Sequence, residues 1–231
     1  MSVRACTSPP SLRVRLLPGV WRPHNDASVT ARVVADRDLA RGRDVLDMFT
    51  GSGALGLSAA RLGARSVTAV DVSRRALTTV AFNAHRNGLR VRTRRGNLFA
   101  AVAGETFDLI LANPPYYPGP ATLPTHGATR AWEGGEDGRA LIDPLCAEVP
   151  RYLRPGGSLL LVHGSFNGEA RSLEILRRGG LVPEVVHRHR GPLGAVGRRR
   201  LALLRQQGLE QTAAGEDEEE TIVISAVKPS L

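Results

Sequence analysis

Short apolar runs alternate with helix-forming segments along this 231-residue sequence, and this alternation constrains the possible fold more than any other feature. Runs typical of buried strands occur at residues 43–48, 66–70, 91–94, 107–112, 158–162, 181–189 and 221–227. Helices are predicted at residues 28–39 (with Asp26 or Ser28 as N-cap), 54–62, 73–88, 137–152 and 169–178. Strand, helix and strand repeat with crossover lengths that favour a parallel sheet. The predicted fold class is α/β, with helices on both faces of the sheet.

The fourth predicted strand, residues 107–112, is followed by Asn113, Pro114, Pro115 and Tyr116. A residue before proline is pushed out of the helical region, and each proline fixes its own φ and lacks a backbone donor. The tetrapeptide therefore forms a stiff, extended segment that presents carbonyl groups, a side-chain amide and an aromatic ring. Such a segment suits a planar group that carries N–H donors. The alternative is an ordinary turn after a strand, because Asn and Pro are common turn residues.

A glycine-rich loop follows the first predicted strand, with Gly51, Gly53 and Gly56 in the spacing G-x-G-x-x-G. Such a loop lets the backbone approach a ligand closely, and an acid after the next strand can bind ribose, so a dinucleotide dehydrogenase is one interpretation. Polar groups, however, follow four successive strands: Asp47, Asp71, Asn97 and the Asn-Pro-Pro-Tyr tetrapeptide. These groups define one crevice at the carboxyl edge of the sheet. A dehydrogenase does not need the fourth group, the Asn-Pro-Pro-Tyr tetrapeptide.

This order resembles that of the S-adenosylmethionine-dependent methyltransferases, and the tetrapeptide resembles the subset that methylates planar amide or amine nitrogens. Residues 19–26 and 131–139 look like the release-factor glutamine methyltransferases, in particular the compact eukaryotic and archaeal type without an N-terminal helical domain. The resemblance covers residues 18–189 and 221–227. It implies a Rossmann-like seven-stranded sheet of order 3-2-1-4-5-7-6 with the last strand antiparallel, and S-adenosyl-L-methionine as the cofactor.

The resemblance, together with the chemistry of the side chains, assigns roles to individual residues. The catalytic set is Asn113, Pro114 and Tyr116. The cofactor-binding set is Asp26, Asp47, Thr50, Gly51, Gly53, Asp71, Val72, Asn97 and Asn113, although Asp47 could instead only cap the loop. The substrate-binding set is Asn113, Pro115, Tyr116 and Trp132, with Glu133 nearby, although Trp132 could be a packing residue. Pro23, Asn25 and Asp26 are expected to cover the cofactor, and no metal site is predicted.

Three residues depart from the pattern of these enzymes. Phe49 stands where they usually have glycine, Asn97 replaces an aspartate near the adenine, and Ala27 replaces a threonine near the cofactor. The loop from Phe49 to Gly56 is instead similar to that of ribosomal-RNA guanine methyltransferases. A nucleic-acid base, or a small molecule, therefore stays open as the methyl acceptor beside a glutamine of a release factor. A cofactor-binding module whose activity has lapsed or needs a partner is a further alternative.

The net charge of +9 would suit a nucleic-acid partner. All but one of the 31 basic residues are arginine in a chain rich in Ala and Gly, however, which is typical of a GC-rich coding sequence. Two cysteines and no long apolar stretch favour a cytoplasmic protein without a membrane anchor.

We expect a flexible segment at residues 1–17 and one domain at 18–231, with an excursion at 190–220. The compact relatives work with a small activating subunit, whose contact this excursion could replace or obstruct.

Overall fold

The computed structural model describes residues 12–21, 25–125, 127–206 and 218–230. Its strands are β1 (Asp44–Met48), β2 (Ser66–Asp71), β3 (Arg92–Arg95), β4 (Phe107–Ala112), β5 (Leu153–Gly164), β6 (Val182–Pro192) and β7 (Glu218–Val227). Its α-helices are α1 (Asn25–Asp36), α2 (Ala54–Arg61), α3 (Arg74–Arg86), α4 (Ile142–Glu148), α5 (Glu169–Arg178) and α6 (Ala195–Gln206). Within these ranges, no helix is both long and apolar enough to cross a bilayer.

The seven strands form one sheet of order β3-β2-β1-β4-β5-β7-β6, which confirms the predicted topology. The first five strands in this order, from β3 to β5, pair in parallel with their neighbours. Strand β7 pairs antiparallel with both β5 and β6. Strand β6 therefore points in the same direction as β4 and β5. The carboxyl ends of six strands and the amino end of β7 consequently lie at one edge of the sheet.

Two apolar cores cover the two faces of the sheet. Alternate residues of β1 belong to different cores, since Leu46 and Met48 pack on one face and Val45 on the other. The first core includes Phe99 and residues of α4 and α5, and the second includes residues of α1 and α2. The apolar residues 109–112 of β4 follow from this arrangement, because a parallel strand is buried on both faces.

The helix predicted at residues 137–152 is wrong in its first part, because α4 begins only at Ile142. Gly138 has φ +74°, and the backbone around it packs against the segment after β4 instead of continuing the helix. The helix α1 begins at Asn25, so neither Asp26 nor Ser28 is its N-cap. The strand β5 begins at Leu153, five residues before the predicted start, and contains Pro155, Gly156 and Gly157, with a register shift opposite β4.

Strand β6 ends three residues later than predicted and β7 begins three residues earlier, so residues 190–192 and 218–220 belong to the sheet. Arg190 donates to Glu220 at 2.8 Å across the two strands, and Arg188 also forms an ion pair with Glu220. Apolar periodicity does not reveal an extension that charged pairs stabilise. The excursion expected at residues 190–220 is therefore shorter, and α6 occupies part of it.

Residues 12–17 lie along α3. The backbone N–H and carbonyl of Arg15 pair with the Asn83 side chain at 2.9 and 2.8 Å, and those of Arg13 pair with the Asn87 side chain at 3.1 Å. Residues 1–17 were expected to be flexible. Residues 13 and 15 instead have hydrogen-bonding partners, and residues 1–11 lie outside the described residues.

Candidate functional site

The polar strand ends predicted to converge line one cavity of about 1080 Å³ at the carboxyl edge of the sheet. Asp47, Asp71, Asn97 and Asn113 all contribute to its wall. Pockets for small ligands usually have volumes of about 300–1,000 Å³. The cavity is therefore large enough for a cofactor together with a second reactant.

The loop after β1 is organised by Asp47, which is 1% exposed. Its Oδ2 accepts hydrogen bonds from the Thr50 hydroxyl at 2.5 Å and from the Gly56 N–H at 2.9 Å. A Cβ on Gly56 would lie 2.8 Å from the same oxygen, so only glycine fits there. Asp47 therefore caps the loop and also lines the cavity, whereas its contact with the cofactor stays a prediction.

The conformation of the loop requires glycine at two further positions. Gly51 has φ +51° and Gly53 has φ +83°, in the left-handed region that favours glycine. A Cβ on Gly53 would also lie 2.9 Å from the Val80 side chain of α3. The spacing G-x-G-x-x-G thus reflects two backbone conformations and the close approach of Gly56 to Asp47.

Asp71 connects this loop to the end of β2. Its Oδ2 accepts the Gly51 N–H at 3.0 Å and its Oδ1 accepts the Ser73 N–H at 2.8 Å. A carboxylate has about four lone-pair sites, so Asp71 retains acceptor capacity toward the cavity. Burial raises the pKa of Asp71, although the backbone hydrogen bonds oppose this effect. This remaining capacity to accept hydrogen bonds fits the hydroxyls of a ribose.

The remaining residues expected around a nucleoside are placed consistently with that role. Val72 and Asn97 both line the cavity beside Asp71. Asn97 precedes a short 3-10 helix (Leu98–Val102) without capping it, so its side-chain amide stays available to the cavity. The glycine cradle, the carboxylate of Asp71 and the amide of Asn97 together fit S-adenosylmethionine.

Burial away from water raises the pKa of Asp47 to about 7, despite the hydrogen bonds from Thr50 and Gly56. Between about pH 4 and 7, Asp47 is protonated in the folded protein and ionised in the unfolded protein. The free energy of unfolding therefore falls as the pH rises through this range. Asp47 is expected to contact the ammonium of the cofactor, which only the ionised carboxylate would attract. We therefore expect the affinity for S-adenosylmethionine to fall by up to about tenfold per pH unit below about pH 7.

Calorimetric titrations between pH 5.5 and 8.5 would measure this dependence. The Asp47→Asn variant should bind more weakly at pH 8 and lose most of the pH dependence. An unchanged slope in this variant would show that another group causes it.

Phe49 has φ +58°, which explains why glycine is usual at this position. A side chain in the left-handed region costs about 1 kcal/mol, whereas glycine adopts it freely. The ring compensates by packing at the margin of a core cluster. Both Phe49→Ala and Phe49→Gly remove this packing, but only Phe49→Gly relieves the strain. We expect Phe49→Gly to be the more stable of the two by about 1 kcal/mol in urea denaturation, and the reverse order would contradict the strain.

The tetrapeptide after β4 brings its polar groups to the same cavity. Pro114 and Tyr116 are buried, whereas Asn113 and Pro115 are partly exposed, and all four line the cavity. Among the described residues, no hydrogen bond to the Asn113 side chain is formed. The Tyr116 ring packs 5.2 Å from that of Tyr117 and is 7% exposed. The segment therefore offers an uncommitted amide beside a rigid aromatic wall.

A second segment, residues 132–140, supports this tetrapeptide from behind. The Tyr117 N–H donates to the Trp132 carbonyl at 2.8 Å, and the Gly134 N–H donates to the Tyr117 carbonyl at 2.8 Å. A Cβ on Gly134 would lie 2.7 Å from the Pro115 carbonyl oxygen. Sequence analysis assigned no role to these glycines, although the cluster Gly134, Gly135 and Gly138 is a signal of close backbone contact.

A buried polar network, also missed in the sequence, fixes the position of Tyr116. Asn167 is 3% exposed, and its side-chain N–H donates to the Tyr116 carbonyl at 2.8 Å. Arg139 donates to the carbonyl of Asn167 and to the hydroxyl of Ser172, which lies 2.9 Å from His163. Burial lowers the pKa of His163 to about 4, so the ring is neutral and can accept from Ser172. These residues are far from one another in sequence, which leaves no local signal.

The two segments that carry the resemblance meet in space. The Trp21 and Trp132 ring centroids lie 4.9 Å apart at an interplanar angle of 52°, and both rings line the cavity. Trp132 is therefore both a packing residue and a cavity residue. Pro23 lies outside the described residues, and Asn25 and Asp26 are placed only by their backbone in α1. Their predicted cover over the cofactor stays a prediction.

The sequence profile of a methyltransferase family, the methyltransferase small domain, matches residues 12–129. A Methanocaldococcus jannaschii protein with the provisional name of protein N5-glutamine methyltransferase is 30% identical over 182 residues, which are 78% of this chain and 90% of the relative. The release factor glutamine methyltransferase of Gloeobacter violaceus is 38% identical over 161 residues. That alignment covers 65% of this chain and 56% of the relative, so this chain spans about half the length of the bacterial enzyme.

Solved structures agree with the fold. The E. cuniculi Mtq2–Trm112 complex, described as responsible for methylating the translation termination factor eRF1, contains a chain that superposes with a TM-score of 0.62 at 19% identity. The superposition covers 91% of this chain and 99% of that chain. Strand order, a cavity that fits S-adenosylmethionine and the family profile lead to one conclusion: this chain belongs to the methyltransferase small domain family and is an S-adenosylmethionine-dependent methyltransferase.

Proposed function

We propose that the enzyme methylates the side-chain amide nitrogen of a glutamine in a protein, with a peptide chain release factor as the favoured substrate. The observation that carries this proposal is the uncommitted Asn113 amide in the cavity, next to the rigid Pro114 and Pro115 backbone. A glutamine amide is planar and carries two N–H donors, which two acceptors at this segment can bind.

The chemistry requires orientation more than it requires a base. An amide nitrogen is a poor nucleophile, because its lone pair is shared with the carbonyl group. S-adenosylmethionine supplies the methyl group when it is bound. Asn113 Oδ1 and the Pro114 carbonyl oxygen each accept one N–H of the acceptor, which orients the nitrogen and favours the positive charge that develops on it. Tyr116 and Pro115 form the walls of this acceptor position, with Trp132 at its entrance.

The names of the relatives support a protein acceptor. The M. jannaschii and G. violaceus relatives are both named as glutamine methyltransferases, and a Bradyrhizobium diazoefficiens relative is named for ribosomal protein uL3. Release factors and ribosomal proteins act in the cytoplasm, so the proposal includes a cytoplasmic location for the enzyme. A small activating subunit, as in the Mtq2–Trm112 complex, belongs to the same proposal.

A nucleic-acid base is the second candidate, since exposed arginines at positions 74, 75 and 95 border the cavity. Binding through phosphates would weaken steeply with salt. The comparison of protein and RNA acceptors therefore needs to be made at two salt concentrations.

The deciding experiment incubates the enzyme and tritiated-methyl cofactor with a release factor, with the same factor carrying Gln→Ala in its Gly-Gly-Gln sequence, and with ribosomal RNA. We expect label in the first sample only, and mass spectrometry should locate one methyl group on the glutamine. Each reaction is run with and without a small activating subunit. Label in RNA and not in protein would overturn the proposal.

A further inference from the structure

The arginines of the chain are unevenly distributed. Residues 72–104, which contain α3 and β3, include seven arginines and no aspartate or glutamate. Residues 12–17 add Arg13 and Arg15, again without an acidic residue. A GC-rich coding sequence explains arginine in place of lysine, but it does not remove carboxylates from one part of a chain. The positive charge is therefore concentrated in these two segments.

The two segments lie together at one end of the molecule. Strand β3 is an edge strand of the sheet and pairs with β2. Helix α3 packs against both of these strands, and the side chains of Asn83 and Asn87 hold residues 12–17 along it. The nine arginines of residues 12–17 and 74–95, here called the basic face, are all exposed. They form one continuous basic surface.

Most charges of the basic face have no acidic partner. Among the described residues, only Arg92 of these nine arginines forms an ion pair, and its partner is Glu105. Ten of the eighteen other arginines with described side chains form ion pairs. Like charges without counter-charges repel one another and lower the stability of the fold. The concentration of unpaired arginines in one place therefore indicates a polyanionic partner.

An exposed aromatic ring lies among these charges. Phe82 of α3 is 45% exposed, and the guanidinium carbon of Arg86 lies 5.6 Å from the centroid of its ring. Ala76, Val80 and Ala84 on the inner side of the same helix are buried. An exposed ring between cations suits nucleic acid, because bases stack on the ring while phosphates bind the arginines. A membrane-surface helix instead exposes a broad apolar face, which α3 buries in the core.

The basic face lies on the cofactor side of the cavity and away from the acceptor position. Arg74, Arg75 and Arg95 line the cavity, whereas the other six arginines of the face lie outside its lining. Strands β3 and β4 are three strand spacings apart in the sheet, or about 14 Å. A nucleic acid on this face therefore passes the cavity without placing a base beside Asn113.

We propose that the basic face is a docking surface for RNA, which holds the enzyme beside an acceptor protein that is itself bound to RNA. Arginines at the two ends of α3 are about 17 Å apart along its axis, so they contact different phosphates. The choice of RNA rests on the proposed function, because release factors and ribosomal proteins work in contact with ribosomal RNA. The RNA is a binding partner here and not the methyl acceptor.

The test measures binding of the full chain to a labelled hairpin of ribosomal RNA between about 50 and 200 mM salt. The test variant combines Arg90→Glu with Arg94→Glu. Both side chains are exposed, lie outside the cavity lining and form no hydrogen bond or ion pair within the described residues. We expect its Kd for RNA to rise about tenfold or more. The slope of log affinity against log salt should become shallower by about 2, as expected for two lost phosphate contacts.

The matched control combines Arg32→Glu with Arg177→Glu, which changes the net charge equally. Arg32 and Arg177 are exposed on α1 and α5, two helices that pack against β6 at the opposite edge of the sheet. This variant should bind RNA like the wild type. Both double variants should methylate free release factor at the wild-type rate, because none of the four side chains lines the cavity.

The outcomes separate the two proposals. If the wild-type enzyme methylates free release factor but does not bind RNA, or if both double variants bind RNA equally well, the docking surface is wrong and the proposed function stands. Tighter binding to a DNA hairpin or to anionic phospholipid vesicles than to RNA would also overturn the docking surface. So would slower methylation of free release factor by the test variant alone, because the face would then bind the acceptor protein.

Two further results concern the proposed function. If RNA binds through the basic face but neither protein nor RNA is methylated, the proposed function fails and the docking surface stands. If the methyl label enters RNA, the RNA is the acceptor and both proposals fail.

Discussion

Replacing Asn113 by alanine is expected to lower kcat by about 10²–10³-fold while the cofactor still binds. The Asn113 side chain has no hydrogen-bonding partner within the described residues and lines the cavity, so its removal disrupts no internal contact. What is lost is an acceptor aimed at the position where charge develops, and single groups of this kind contribute about 10²–10³-fold. Steady-state methylation and calorimetric titration of S-adenosylmethionine would measure the two effects separately.

Asn97→Ala is the matched comparison for this variant. Asn97 lines the same cavity beside Asp71 and is expected to contact the adenine. Its loss should raise the cofactor Kd by about tenfold, as expected for one hydrogen bond, and change kcat little. If Asn113→Ala leaves methylation unchanged while cofactor is bound, or behaves like Asn97→Ala, the proposed role of Asn113 is wrong.

Replacing Gly138 by alanine is expected to damage both stability and catalysis. Gly138 has φ +74°, and a Cβ there would collide with the Tyr116 carbonyl oxygen and with the Asn167 side chain. The left-handed φ costs about 1 kcal/mol, and overpacking against a buried backbone adds about 1–3 kcal/mol. Because the collision moves Tyr116, we also expect activity to fall by about 10²-fold.

Gly180→Ala separates the two causes. Gly180 has φ +80°, but no atom lies within 4 Å of a Cβ built on it. This variant should therefore lose only about 1 kcal/mol of stability and retain full activity. Urea denaturation and methylation assays of both variants make the comparison. Equal effects in the two would mean that the contact between Gly138 and Tyr116 does not matter for the site.

Elements with strong local signals were predicted correctly. The strand β4 and the helix α5 have the bounds expected from sequence, residues 107–112 and 169–178. A run that is apolar except for Asp108 defines the first, and Gly168 and Gly179 delimit the second. Errors occurred where tertiary contacts override local preference, as at residues 137–141, where Gly138 packs against Tyr116.

The sequence by itself determined the succession of strands and helices and the polar residue at the end of each of the first four strands, and the resemblance implied the order of the strands in the sheet. It therefore also determined the cavity wall formed by Asp47, Asp71, Asn97 and Asn113, because parallel strands bring their carboxyl ends to one edge. Only the tertiary structure decided how the catalytic segment is held. Its supports are Gly134, Asn167 and the ion pair between Arg200 and Glu133, which come from distant parts of the chain. They act through backbone approach, one buried hydrogen bond and one partly buried ion pair, which leave no periodic pattern in the sequence.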